Sequence, residues 1–373
     1  MRLRRTAVSA LAGALLLSVP LPSATAAAET VGGPLLAGRG ILVPPGAPAL
    51  PRDITGSAWV VADLASGAVL GARDPHGRYL PASTLKTLTA LTLLPKLADR
   101  KRVVRASDAD CAIDGTRVGL VPKGKYSVEM LFQCMLMMSG NDCAGALAEA
   151  NGGVPQTVAE MNEVARTLHA DDTHAATPSG LDGPRQATSA YDLALIMRQV
   201  LTVPDFRRYN TTQTSVVPAQ PPKYGKYQFA NDNKLLYNYP GVLAAKNGFT
   251  DAARHTFVAA VAKGNRRIVV TLLHGEQTPV PIWQQVARLA EWGVRVPAGA
   301  SVGELVQPSD PSATATPTPT PEPTTALGPP AVAGTGGGDG LPMLPIGLAL
   351  AGAAAAVGAL AWHGRRRGAR PPA

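Results

Sequence analysis

The stretch Leu80-Pro-Ala-Ser-Thr-Leu-Lys86 opens an apolar helical run that continues through Leu88, Leu91 and Leu94. Helical periodicity puts Ser83 and Lys86 on one face, one turn apart, within hydrogen-bonding reach of each other. A serine so placed is a nucleophile with a candidate base. Alone the pattern is weak, because a chain of 373 residues holds about one or two Ser-x-x-Lys by chance. Two further motifs follow in order, Ser139-Gly-Asn141 and Lys246-Asn-Gly248. Together the three outline a serine-lysine acyl-transfer site.

Each motif has a chemical reason. Ser83 needs a base, and Lys86 can serve only when neutral, a state that desolvation and a neighbouring cation both favour. Lys246 is the candidate cation. A helix start at Ser83 also aims backbone N–H groups and the positive dipole end at developing negative charge. Ser139 and Asn141 sit where a methionine-rich helix (Met130, Met135, Met137, Met138) ends at Gly140. Asn141 can hold a substrate amide and Ser139 can relay a proton to a leaving group. Lys246-Asn-Gly248 precedes a hairpin, where Gly248 lets a ligand approach an edge strand closely and Lys246 offers a point charge to a carboxylate.

The two ends set the compartment. Residues 1–28 read as a signal peptide: Arg2, Arg4 and Arg5, an apolar run from Ala7 to Val19, then small residues. Residues 341–363 read as a transmembrane helix, uncharged from Leu344 to Trp362, followed by a basic cytoplasmic tail, 364–373. The expected location is the cell membrane, single-pass, with the body on the extracytoplasmic side. The formal charge of +9 falls to about +2 once the seven arginines of these end segments are set aside, which excludes a nucleic-acid footprint. Cys111, Cys134 and Cys143 lie in a compartment that permits disulfides, so one pair and one leftover thiol are expected, with the pair left open. The six histidines show no metal-ligand spacing, and no metal or cofactor is expected.

Between the ends, residues 29–50 read as a Pro/Gly-rich spacer, 51–300 as a globular catalytic domain, and 301–340 as a Thr/Pro/Gly-rich linker that cannot bury a core. Ser57–Ala62 with Ala68–Gly71 predicts one hairpin, and His255–Ala262 with Arg267–Leu273 a second, turning at Lys263-Gly-Asn265. Trp283–Trp292 predicts a closing amphipathic helix, and Ser127 to about Leu201 a mostly helical insertion.

With these residues in place the chain resembles the low-molecular-mass penicillin-binding proteins, the serine-type D-alanyl-D-alanine carboxypeptidases of peptidoglycan, over about residues 55–295. Leu80–Lys86 looks like the family's nucleophile segment and Met138-Ser-Gly-Asn-Asp-Cys-Ala144 like its second motif. Ser179-Gly-Leu-Asp182, Thr188-Ser-Ala-Tyr-Asp192 and Asn233-Lys-Leu-Leu236 look like its connecting signatures. The third motif departs from it: Asn247 stands where the family usually has threonine. The resemblance implies an α/β (α+β) fold of the β-lactamase/transpeptidase type, an antiparallel sheet of about five strands flanked by helices with an inserted helical lobe. It implies Ser83 as acylated nucleophile, Lys86 as base, Ser139 and Asn141 around the substrate, and Lys246, Asn247, Gly248 and Phe249 as substrate-binding, with the Ser83 and Phe249 N–H groups as oxyanion hole. The implied partners are a peptidoglycan stem peptide ending in D-Ala-D-Ala, and β-lactam antibiotics. The alternatives are a serine β-lactamase, for which Glu160 and Glu163 lie in the right interval but lack the expected pattern, and a catalytically weak penicillin-binding wall protein.

Overall fold

The computed structural model describes residues 30–308. The expected signal peptide, the span at 341–363, the basic tail and most of the linker lie outside the described residues. Among the described residues no helix is long and apolar enough to cross a membrane.

The elements in chain order are β1 (Ile41–Leu42), β2 (Ala58–Asp63), β3 (Ala68–Arg73), α1 (Lys86–Lys96), β4 (Val103–Arg105), α2 (Asp108–Ala112) and β5 (Lys125–Ser127). There follow α3 (Val128–Met137), α4 (Asn141–Ala150), α5 (Val154–Thr167), α6 (Ala190–Val200), α7 (Pro204–Asn210), β6 (Thr214–Val217), β7 (Tyr227–Ala230) and α8 (Lys234–Asn238). The chain closes with β8 (Val242–Thr250), β9 (Arg254–Lys263), β10 (Arg266–Gly275), α9 (Ile282–Arg295) and β11 (Gly303–Glu304).

The main sheet is antiparallel, in the order β1-β3-β2-β10-β9-β8, with β11 also pairing β3. Its long strands are buried on both faces, and their alternation sorts side chains into two cores. Ala58, Val60 and Ala62 of β2 join Val258 and Ala260 of β9 on one face, against α1, α3, α4 and α6. Trp59 and Val61 join Phe257, Val270 and Leu272 on the other, under Leu289 and Trp292 of α9. Both predicted hairpins form, and the β9–β10 turn uses Gly264 at φ 58°, where a two-residue loop needs a left-handed residue. The helical insertion also forms, between β3 and β8. Two short ribbons inside it, β4–β5 and β6–β7, were outside the sequence expectation, since strands of three or four residues carry little periodic signal.

Three expectations need correction. The segment expected as a spacer is packed: Leu36 is fully buried, β1 pairs β3, and the Pro48 carbonyl accepts from the Trp292 indole at 2.9 Å. The segment after 300 is likewise domain up to about Leu305, with Val302 and Leu305 buried and β11 in the sheet. Composition misses both, because a single leucine or valine per turn suffices to dock a Gly/Pro-rich segment against an existing core. Finally, Cys111, Cys134 and Cys143 are all free thiols, so the expected pair does not form.

Candidate active site

Ser83 lies in a short 3-10 turn, Ala82–Leu85, that runs directly into α1. Ala82 before it has φ 46°, a left-handed conformation costly for a residue with a side chain. Two glycines pack closely against this strained start. A Cβ on Gly248 of β8 would stand 2.6 Å from the Ser83 nitrogen, and one on Gly180 would stand 1.9 Å from the Ala82 oxygen. Gly180 itself has φ 84°. Thr256 of β9 adds a tie across the cleft, its hydroxyl donating to the Pro81 carbonyl at 2.8 Å. In the first turn the Ser83 N–H has no preceding helical carbonyl to reach, so it is available to a ligand.

Lys86, one turn on, is fully buried. Its Nζ meets three oxygens: Ser83 Oγ at 2.9 Å, Asn141 Oδ1 at 2.7 Å and the Ser179 carbonyl at 2.6 Å. Burial first, and then the charge on Lys246, push its pKa well below the usual lysine range. A neutral amine carries two N–H donors. The Asn141 and Ser179 oxygens can only accept, so they take both, and the remaining lone pair faces the one partner that can donate, the Ser83 hydroxyl.

The second motif occupies the turn between α3 and α4. Ser139 has φ 62°, and its Oγ is buried without a hydrogen-bond partner. Asn141 opens α4, its amide donating to the Asp114 carbonyl at 2.7 Å while its oxygen receives Lys86. The next residue, Asp142, accepts from the backbone N–H groups of Val118, Gly119 and Leu120 at 2.9–3.2 Å, pinning the loop that carries Asp114. Lys246 is 1% exposed, and among the described residues its ammonium hydrogen-bonds only to its strand neighbour Asn247, the carbonyl at 2.8 Å and Oδ1 at 3.4 Å. Burial lowers its pKa, with Asp232 pulling the other way. Phe249 is 47% exposed beyond Gly248, its ring 4.5 Å from that of His255.

The structure thus brings Ser83, Lys86, Asn141 and Gly248 into direct or near contact, with Ser139, Lys246, Asn247 and Phe249 on the adjoining turn and strand. Sequence reasoning missed the roles of the Ser179 carbonyl, the Asp114 carbonyl and Asp142. Ser179 stood in a connecting signature, Ser179-Gly-Leu-Asp182, but its role did not follow from it, because a main-chain oxygen has no residue type to read.

The peptidase S11 family, D-alanyl-D-alanine carboxypeptidase, matches residues 45–277. The chain belongs to this family. It is 41% identical over 251 residues to the D-alanyl-D-alanine carboxypeptidase DacB2 of Mycobacterium tuberculosis, covering 66% of this chain and 85% of that protein. DacF of Bacillus subtilis is 28% identical and is covered over only 60% of its length. A solved D-alanyl-D-alanine carboxypeptidase from M. tuberculosis H37Rv superposes with a TM-score of 0.67 at 40% identity, covering 70% of this chain and 99% of that one. A DD-transpeptidase from Streptomyces, at 21% identity and a TM-score of 0.62 over 66% of this chain and 99% of that one, shares the fold. The expected family, fold class and enzyme type therefore hold for this chain.

Proposed function

We propose that the chain removes the terminal D-alanine of peptidoglycan stem peptides through an acyl-Ser83 intermediate, and that penicillins acylate the same serine. The observation that carries this reading is the bonding of Lys86, which leaves its lone pair no proton to take except that of Ser83. As Oγ attacks the carbonyl of the penultimate D-Ala, its proton passes to Lys86 Nζ. The developing oxyanion is assigned to the Ser83 and Phe249 N–H groups, preorganised donors that need no rearrangement at the moment of reaction. Collapse breaks the peptide bond, and the leaving amine takes a proton from Lys86, relayed through the unpaired Ser139 hydroxyl. D-Ala departs, and water then releases the acyl group by the reverse sequence. Lys246 and Asn247 hold the substrate's terminal carboxylate.

The β-lactamase alternative gains nothing from Glu160 and Glu163. Glu160 is tied to Asn151 and Lys96, and Glu163 pairs with Arg166 on the surface of α5. Neither is placed to activate a deacylating water, so the acyl-penicillin should persist.

The proposal extends to location. Export by residues 1–28 and anchoring by 341–363 would hold the domain outside the membrane, where peptidoglycan is. A chain ending at Gly340 should appear, active, in the medium; retention in the membrane fraction would refute the anchor. For the reaction, the purified protein and its Ser83→Ala variant are incubated with diacetyl-Lys-D-Ala-D-Ala and with a labelled penicillin. Free D-Ala and covalent label should both require Ser83. Release at an undiminished rate from Ser83→Ala would overturn the mechanism.

A further inference from the structure

At the start of α6 lies a group of side chains that this mechanism does not use. His76, Asp172 and Asp192 come from three separate segments, and one ligand atom from each lies within 4.8 Å of the others. The His76 Nε2 is 3.0 Å from the Val31 carbonyl, and its Nδ1 is 2.8 Å from Asp172 Oδ2. Both partners, a carbonyl and a carboxylate, can only accept, so without an ion His76 carries a proton on each nitrogen and pairs with Asp172; a divalent ion would take the place of the Nδ1 proton. Imidazoles that bind metals characteristically have their second nitrogen anchored in this way.

Asp192 is the deepest member of the group. It is 1% exposed, its Oδ2 accepts from the Thr173 hydroxyl at 2.7 Å, and its Oδ1 is buried with no hydrogen-bond partner. A buried carboxylate oxygen without a partner costs free energy unless something fills the place. Burial, and then the Asp172 charge, push the Asp192 pKa up to about 7, the response of a carboxylate with no ion-pair partner of its own among the described residues, and a cation there would restore its charge. No Lys or Arg makes an ion pair with Asp172 or Asp192 among the described residues; the salt bridge there is His76 to Asp172.

We propose that His76 Nδ1, Asp172 Oδ2 and Asp192 Oδ1 form a divalent-cation site, of the one-nitrogen, two-carboxylate type that suits Zn²⁺ or Mn²⁺. In a tetrahedral site, ligands about 2.0–2.2 Å from the ion stand about 3.4 Å apart, so these atoms, all within 4.8 Å of one another, would draw in by up to about 1.4 Å. His76 and Asp172 keep 21% and 24% of their side-chain surface, and His76 lines an open surface hollow with Leu36, Arg39 and Tyr79, which gives the ion a way in. The ion's role would be structural. It would join the N-terminal segment at Val31, the Asp172 loop and α6, whose Tyr191 packs 4.7 Å from the His76 ring and donates to the Glu304 carbonyl.

The test uses the full-length protein, stripped with a chelator and dialysed, then titrated with zinc chloride or manganese chloride while heat of binding and thermal midpoint are followed. Asp192→Asn and Asp172→Asn are run alongside, with labelled-penicillin acylation as the check of folding. The expected result is one strong equivalent per chain, a midpoint that rises with ion concentration, and affinity at least about tenfold weaker in each variant that still acylates. Absence of stoichiometric uptake by the wild type, or a variant that binds as tightly as the wild type, would overturn the site.

Discussion

The cleft has two walls, the helix wall of α1 and the strand wall of β8, and each contributes one buried lysine. Both lysines are all but fully buried, yet they are bonded in opposite ways. Lys86 is saturated by three oxygens from three separate segments. Among the described residues, the Lys246 ammonium hydrogen-bonds only to its own neighbour, Asn247. Burial and a neighbouring cation push the saturated Lys86 toward its neutral form and aim it; burial lowers the Lys246 pKa as well, but Asp232 opposes the shift and the sparse bonding leaves donors to give. One residue type thus serves as base on one wall and as anion receptor on the other, and the surrounding oxygens make the difference.

The sharpest way to break this contrast is to remove Lys86. In Lys86→Ala the Ser83 proton has no acceptor, and penicillin acylation should slow about 10³-fold, a usual scale for a lost general base. A variant that acylates at near the wild-type rate would mean that the base is elsewhere. Next in size is Gly248→Ala on the strand wall. Its new Cβ would press the Ser83 nitrogen, a backbone atom that cannot swing aside, so the start of α1 must shift. A displacement approaching an ångström at a reacting group costs about 10²-fold. Stopped-flow acylation of Gly248→Ala should show that loss with the rest of the fold intact by circular dichroism.

These two residues also mark what the sequence could reveal. Ser83 and Lys86 were legible because both are side chains at a local helical spacing, and Gly248 because a glycine beside a strand signals close approach. The bracing of the helix wall was not legible, since it rests on Gly180, 97 positions from Ser83 in the chain, and on main-chain carbonyls at Ser179 and Asp114. The sheet was readable from its long apolar strands. Its two outermost additions, β1 and β11, were not, because two-residue strands borrow their order from β3 rather than from any pattern of their own.

A third, smaller effect tests whether the two walls communicate. The Lys246 charge helps hold Lys86 neutral, so Lys246→Gln should let the Lys86 pKa rise. The active form is the neutral amine, which is lost as pH falls through that pKa. The acid limb of the profile of acylation rate against pH should therefore move to higher pH in Lys246→Gln, apart from any drop in amplitude through weaker carboxylate binding. An unmoved limb would show that burial alone sets the state of Lys86.

Asn247 offers the finest test of the strand wall. Its amide oxygen leans toward the Lys246 ammonium at 3.4 Å, and its side chain lines a cavity of about 320 Å³ with Asp232, Lys234 and Trp283. In that pose the amide N–H₂ is free to donate to a substrate carboxylate, much as the family's usual threonine hydroxyl would, but from a longer arm. Asn247→Thr withdraws the donor by roughly one bond length and removes an oxygen that competes with substrate for Lys246. These changes oppose each other, so the net effect should be a shift of a few fold in KM for the D-Ala-D-Ala peptide, with kcat little changed because neither group touches Ser83 or Lys86. A kcat change larger than the KM change would place Asn247 in the acylation step itself, and would make the strand wall more than a receptor for the carboxylate.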